Sequence, residues 1–294
     1  MSDDQWIDVN GLRTRYRDAG QGERVVVLIH GGLFNQSGLC MSSAVWDSVL
    51  PYLAGDLHVY ALDTLGQGRN DPPRGDDGYT IASMIEHLKG FIEAIGANRP
   101  HLVGHDEGAM LAVRLAFVDP GRVASCSIVD SAAVAPAGDG IPNTALLNPP
   151  QPLYGAASQR WLLDQCVYGR EPPLSENLID EAVAIAATPG FQGVRARMTA
   201  DDYYQRIVLA ELAGLRFDNF ARWRDHDCQT PMQLIWGWQD RVSLAPYAEA
   251  LHGIIAARTE VAQLHYVNHA GYLPFMEEPR VFAELVRGFV RAIN

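Results

Sequence analysis

Positive charge is scarce in this chain. Twenty-three lysines and arginines stand against 35 acidic residues, a formal net charge of -12. Nucleic-acid binding needs a clustered basic footprint, so no nucleic-acid partner is expected. Cysteine is scarce as well. Cys40, Cys126, Cys166 and Cys228 lie far apart with no Cys-x-x-Cys or metal-ligand spacing, which reads as reduced thiols in or near a core. No ligand cluster and no phosphate-binding glycine loop appears, so neither a metal nor an organic cofactor is expected. Long apolar runs are missing too. None approaches the roughly 20 residues that cross a bilayer, and the opening Met-Ser-Asp-Asp-Gln-Trp has no basic stretch leading into an apolar one. The expectation is a soluble, cytoplasmic protein without membrane attachment. Whether it forms a homo-oligomer is left open.

What is present is ordinary for a globular enzyme: 294 residues, 48% hydrophobic and 20% charged. A chain of this size buries roughly 75% of its unfolded surface, enough for a full core without disulfide staples. Trp6–Val9 and Arg13–Asp18 flank Asn10-Gly11, a strong hairpin signal. Val25–Ile29 is apolar on both faces, as suits a central strand of a parallel sheet covered by helices. Similar short runs recur at His58–Leu62, His101–Val103, Val123–Val129, Met232–Trp236 and Val261–Val267. Helical periodicity fills gaps between them at Ile81–Ile95, Ala109–Val118, Tyr247–Ala257 and Val281–Ile293. Strands alternating with helices give an α/β fold with a mostly parallel sheet, and ligands on such sheets bind beyond the carboxyl ends of the strands. Residues 133–228 break the alternation. They are rich in Pro and Gly at first and helical afterwards, at Arg160–Tyr168, Glu176–Ala187 and Tyr203–Leu212. This segment reads as a helical lid inserted after the sixth strand, with residues 1–132 and 229–294 forming the core.

The chemistry concentrates where strands end. Gly104-His105-Asp106-Glu107-Gly108 separates a buried strand from a helix. Its glycines permit the sharp turn that projects a central side chain above a sheet, the geometry of a nucleophile elbow. Four further stations occur in order: His30-Gly31-Gly32, Asp63-Thr64-Leu65-Gly66-Gln67-Gly68-Arg69, Trp236-Gly237-Trp238-Gln239-Asp240 and His269-Ala270-Gly271-Tyr272. On these stations the chain resembles the α/β-hydrolase family over nearly its whole length. With aspartate at the elbow in place of serine, it is similar to the epoxide hydrolases and dehalogenases.

That resemblance implies Asp106 as a nucleophile forming an alkyl ester with the substrate, and His269 as the base that activates water to hydrolyse it. The acid that orients His269 is Asp240 or, at the end of the sixth strand, Asp130. Backbone N–H groups of Glu107 and of Gly32 or Leu33 would form an oxyanion hole, with His30 beside it. An epoxide would also need a proton donor, for which the lid offers Tyr154 with Tyr203 or Tyr204. Trp161, Trp223, Trp236 and Trp238 would wall an apolar pocket for a small, largely apolar organic substrate. Two features depart from the epoxide hydrolases and dehalogenases. His-Gly-Gly replaces their His-Gly-x-Pro, and Glu107 stands where they carry Trp or Arg. Glu107 either complements the helix dipole or touches the substrate. The expected reaction is hydrolysis of an epoxide through the aspartyl ester; the alternatives are dehalogenation or hydrolysis of an ester, lactone or carbon–carbon bond, non-hydrolytic acid–base chemistry such as cyclisation or retro-aldol cleavage, and a non-catalytic receptor.

Overall fold

The computed structural model describes residues 4–36, 38–136, 146, 148–169, 176–225 and 229–293. Among them eight strands form one sheet: β1 (Gln5–Val9), β2 (Leu12–Ala19), β3 (Arg24–Ile29), β4 (Leu57–Leu62), β5 (His101–His105), β6 (Ser125–Val129), β7 (Met232–Gly237) and β8 (Ala262–Val267). Their spatial order is β1-β2-β4-β3-β5-β6-β7-β8. The first two strands are an antiparallel hairpin turned by Asn10-Gly11, both residues at positive φ. β2 also pairs antiparallel with β4, and from β4 to β8 every pairing is parallel.

The double-faced apolar runs behave as buried central strands should. Val26, Val27, Leu28 and Ile29 are all fully buried, because helices cover both faces of the sheet. β8 differs. As the terminal strand it is only partly buried over most of its length, with no strand paired to its outer edge among the described residues.

The helices are α1 (Leu50–Leu53), α2 (Ile81–Ala94), α3 (Glu107–Val118), α4 (Ala156–Cys166), α5 (Glu176–Ala186), α6 (Pro189–Thr199), α7 (Leu209–Asp225), α8 (Ala245–Ala256), α9 (Pro274–Glu277) and α10 (Pro279–Ala292). α2 starts where Thr80 accepts from the Ser83 N–H, a side-chain cap for an otherwise orphan donor. α3 is buried along nearly all its length. Gly108 allows this, since a Cβ there would lie 2.3 Å from the Ile29 carbonyl oxygen.

Helices α4 to α7 lie between β6 and β7, and they are tied to the sheet by charge. The fully buried Arg15 of β2 donates to Asp63 at 2.8 Å and also to Glu181 of α5. Sequence periodicity finds α4 and α5 but not α6, whose Pro189, Gly190 and Gly193 dilute the signal. It also stops α7 near Leu212, about four turns too early by the usual 3.6 residues per turn. Residues 137–145 and Cys228 belong to that expected lid and lie outside the described residues. No helix among the described residues is long and apolar enough to cross a membrane.

Candidate active site

β5 ends at His105, and the chain turns sharply into α3 through Asp106, which sits at φ 46 and ψ -112. A non-glycine residue there is strained. Its neighbours hold it in place. Ser131 Oγ donates to the Asp106 carbonyl at 2.7 Å, and the Asp106 N–H donates to the Val129 carbonyl at 3.0 Å. Gly104 permits the turn, because a Cβ there would lie 2.4 Å from the Ala109 nitrogen.

The Asp106 carboxyl faces a cavity of about 230 Å³. Leu39, Met41, Leu146, Leu162 and Val242 form much of its wall, and Asp106, Glu107 and Tyr272 supply polar side chains. Oδ1 of Asp106 accepts from the Ala133 N–H at 3.2 Å, and Oδ2 accepts from the Tyr272 hydroxyl. Burial raises the Asp106 carboxyl well above the ordinary carboxylate range, and the negative charge of Glu107 raises it further. Burial, followed by the charges of Asp106 and Glu107, likewise raises the Tyr272 hydroxyl.

His269, the expected base, is not at this site. It lies on the loop after β8 at φ 60, exposed, with its ring stacked on Tyr168 at 5.9 Å between centroids. The loop is clipped by Gln239, which bonds both Asn268 and the Ala270 N–H. It then packs so closely that a Cβ on Gly237 would lie 1.9 Å from the Gly271 carbonyl. This path carries His269 outward and brings Tyr272 inward, so the residue that meets Asp106 after the last strand is Tyr272. His105 braces it: Nε2 donates to the Tyr272 carbonyl at 2.9 Å, and the rings meet edge to face at 4.4 Å. Burial pushes His105 down to about 3, so it stays neutral at physiological pH.

Asp130 and Asp240 are brought together, but with each other and not around an imidazole. Oδ1 of Asp130 accepts from the Gly237 N–H at 2.8 Å, and Oδ1 of Asp240 accepts from the Val242 N–H at 2.7 Å. Their remaining oxygens are buried without another partner. Burial and mutual repulsion raise Asp130, while burial brings Asp240 to about 7. Burying two carboxyls side by side disfavours ionising both at once.

The Gly32 N–H, expected in an oxyanion hole, donates to Oε2 of Glu107 at 2.6 Å. Glu107 therefore touches the site directly, and its placement goes beyond complementing the helix dipole. His30 is a bracing residue, fully buried, with Nδ1 on the Gly31 carbonyl at 2.8 Å and Nε2 accepting from the Thr64 N–H at 3.1 Å. Leu33 is buried in the core.

Of the three tyrosines singled out, Tyr154 donates to the Asn35 carbonyl at 2.6 Å and Tyr203 lies under the Arg197 guanidinium at 3.8 Å. Tyr204 opens a π-helical turn, Tyr204–Val208. Its hydroxyl is raised by burial and then by the charges of Glu107 and Asp106, but Tyr204 is not among the residues that line the cavity. The tryptophans are not pocket walls. Trp223 and Trp236 are core residues, Trp161 packs against the core, and Trp238 is 53% exposed beside Tyr266.

The sequence pattern of the alpha/beta hydrolase family matches residues 26–285. The chain belongs to that family. It is 29% identical to 2-hydroxy-6-oxo-2,4-heptadienoate hydrolase of Pseudomonas putida, covering 96% of this chain and 94% of that one. With 2-hydroxy-6-oxononadienedioate/2-hydroxy-6-oxononatrienedioate hydrolase of Paraburkholderia xenovorans it shares 27% identity, over 95% of this chain and 91% of that one. Among solved structures, the 2-hydroxy-6-oxo-6-phenylhexa-2,4-dienoate hydrolase of Rhodococcus superimposes with a TM-score of 0.78 at 20% identity, covering 99% of both chains. That last likeness is one of fold. The named relatives are thus hydrolases of 2-hydroxy-6-oxo acids, and none is named as an epoxide hydrolase or dehalogenase.

Proposed function

We propose that this family member is a hydrolase working by carboxyl acid–base catalysis on a small, largely apolar carbonyl compound, cleaving a carbon–carbon bond next to the carbonyl. One observation carries the reading: Asp106 is joined to Tyr272 and Glu107, with no imidazole against it among the described residues. An aspartyl ester formed at this elbow would lack the base needed for its hydrolysis. Two adjacent carboxyls sharing one proton, by contrast, can supply an acid and a base at once, as in aspartic proteases.

In this reading the Tyr272 hydroxyl and the Asp106 proton meet the substrate's carbonyl oxygen. The ionised carboxylate of the pair takes a proton from water, whose oxygen bonds to the carbonyl carbon. Asp106 protonates the carbonyl oxygen, giving a diol. Collapse of the diol returns that proton to Asp106 and breaks the carbon–carbon bond. The proton taken from water goes to the leaving carbon, and the other fragment leaves as a carboxylic acid. The helices between β6 and β7 act as the lid that keeps bulk water out, and Asp130 with Asp240 supports the loop after β7. The relatives' names, which describe oxo-dienoate hydrolases, support the bond type.

Benzoylacetone in water labelled with heavy oxygen tests this. The expected result is label in the benzoate or acetate product from the first turnover, with loss of activity in Asp106→Asn. Unlabelled acid in the first turnover, with label appearing only later, would establish a covalent aspartyl route instead.

A further inference from the structure

The cavity holds two carboxyl groups and, among its described lining residues, no lysine, arginine or histidine. The buried Asp63, by contrast, is paired with the Arg15 guanidinium. Here the contacts are neutral donors: the Ala133 N–H and the Tyr272 hydroxyl on Asp106, and the Gly32 N–H on Glu107. The backbone N–H that would greet an incoming carboxylate or oxyanion, that of Gly32, is already filled by Oε2 of Glu107. Gly32 has little room to retreat, because a Cβ at that position would lie 2.6 Å from the Gln67 side-chain oxygen, and Gln67 itself donates to the Gly32 carbonyl at 2.8 Å.

We infer that Glu107 is a specificity-determining residue that excludes anions, so that the substrate enters as an uncharged molecule bearing no carboxylate. This sets the chain apart from relatives named for dienoates and dienedioates. An anion seated at the Gly32 N–H must displace Glu107 and then stand beside it in an apolar cavity, where like charges repel strongly. An uncharged ketone or alcohol meets only hydrogen-bonding partners, the Tyr272 hydroxyl and the Asp106 carboxyl. The same arrangement expels a carboxylic acid product once it ionises. The inference rests on the acid–base reading for the position of the reacting groups, but charge selection is measurable without turnover.

Two ligands of the same shape, phenylpropanol and phenylpropionate, provide the test by calorimetric titration at neutral pH. The wild type is expected to bind the alcohol at least about tenfold more tightly than the carboxylate, a preference of about 1.4 kcal/mol. In Glu107→Gln the ratio should fall by about tenfold, since the carboxylate that repels the anion is gone. Phenylpropionate binding the wild type as tightly as the alcohol would overturn the inference, and so would a ratio unchanged in a folded Glu107→Gln. The wild-type order decides even where the variant does not fold. An Asp106→Asn enzyme that keeps full activity would refute the acid–base reading yet leave this affinity order as it stands.

Discussion

The Tyr272 hydroxyl donates to Oδ2 of Asp106, a contact between residues 166 positions apart. It joins the residue of the sharp β5–α3 turn to the residue that follows the last strand, and each is braced from behind. Ser131 and the Ala133 N–H hold Asp106, while His105 holds the Tyr272 backbone.

Exchanging the two candidate partners of Asp106 should separate them. Tyr272→Phe removes the hydroxyl and keeps the ring against His105, so turnover of benzoylacetone should fall by about 10²-fold or more. His269→Ala should leave turnover within about twofold, since substitutions of exposed side chains away from a site rarely matter. Activity lost in His269→Ala and kept in Tyr272→Phe would return the base to His269.

The Asp130–Asp240 pair makes stability depend on pH. A carboxyl raised to about 7 in the folded state, from an ordinary 3.8, binds its proton more tightly when folded. Its stabilising effect is therefore full below pH 3.8 and lost as pH rises through 7, by about 1.4 kcal/mol per pH unit for one proton. The buried His87 and His101, pushed down to about 4, and His105, pushed down to about 3, act in the opposite sense, losing stability as pH falls below 6.5. The useful quantity is thus the difference between wild type and Asp240→Asn. Thermal unfolding between pH 5 and 7 should show the wild type losing stability relative to the variant as pH rises, whereas parallel curves would refute the raised carboxyl.

Arg15 is the cation on which Asp63 and Glu181 converge. Arg15→Ala leaves the fully buried Asp63 without its partner and should cost about 3–5 kcal/mol in denaturant unfolding. Glu181→Gln should cost far less, because Glu181 is 20% exposed and partly screened. Equal costs would mean that the α5 contact, and not the Asp63 pair, carries the energy.

Gly104→Ala places a methyl group 2.4 Å from the Ala109 nitrogen and 2.5 Å from the Gly108 carbonyl carbon, backbone atoms of α3 and not a side chain able to yield. The elbow must open, so a soluble variant should lose activity along with several degrees of melting temperature. Unchanged activity would show that α3 can shift without disturbing Asp106.

Much of this was readable from residue patterns. The sheet was, because β3 is apolar on both faces and the other central strands are short, largely apolar runs followed by turn residues. The elbow was as well, because Gly104 and Gly108 are required by close backbone approach at fixed spacing. The partner of Asp106 was not. A histidine after the last strand is the ordinary chemical choice, and composition cannot tell which of two residues three apart the loop turns inward. The decisive signal was Gly271 beside Tyr272: Gly271 passes so close to α4 that a Cβ would lie 2.5 Å from the Cys166 carbonyl oxygen. A glycine needed for close approach marks the inward stretch of that loop, and His269 lies before it. Asp130 and Asp240 read as rivals for one role because sequence separates them by more than a hundred residues. The parallel pairing of β6 with β7 brings their strand ends side by side. Helix α6 escaped because its glycines and proline mask its apolar face.

The central claim is that Asp106 is a proton-bearing acid held by Tyr272. An infrared difference spectrum of the resting enzyme at neutral pH, wild type minus Asp106→Asn, tests it without any substrate. The account predicts a protonated-carboxyl band that shifts in Tyr272→Phe. A spectrum showing only ionised carboxylate at Asp106, unmoved in Tyr272→Phe, would contradict it and favour a free nucleophile at the elbow.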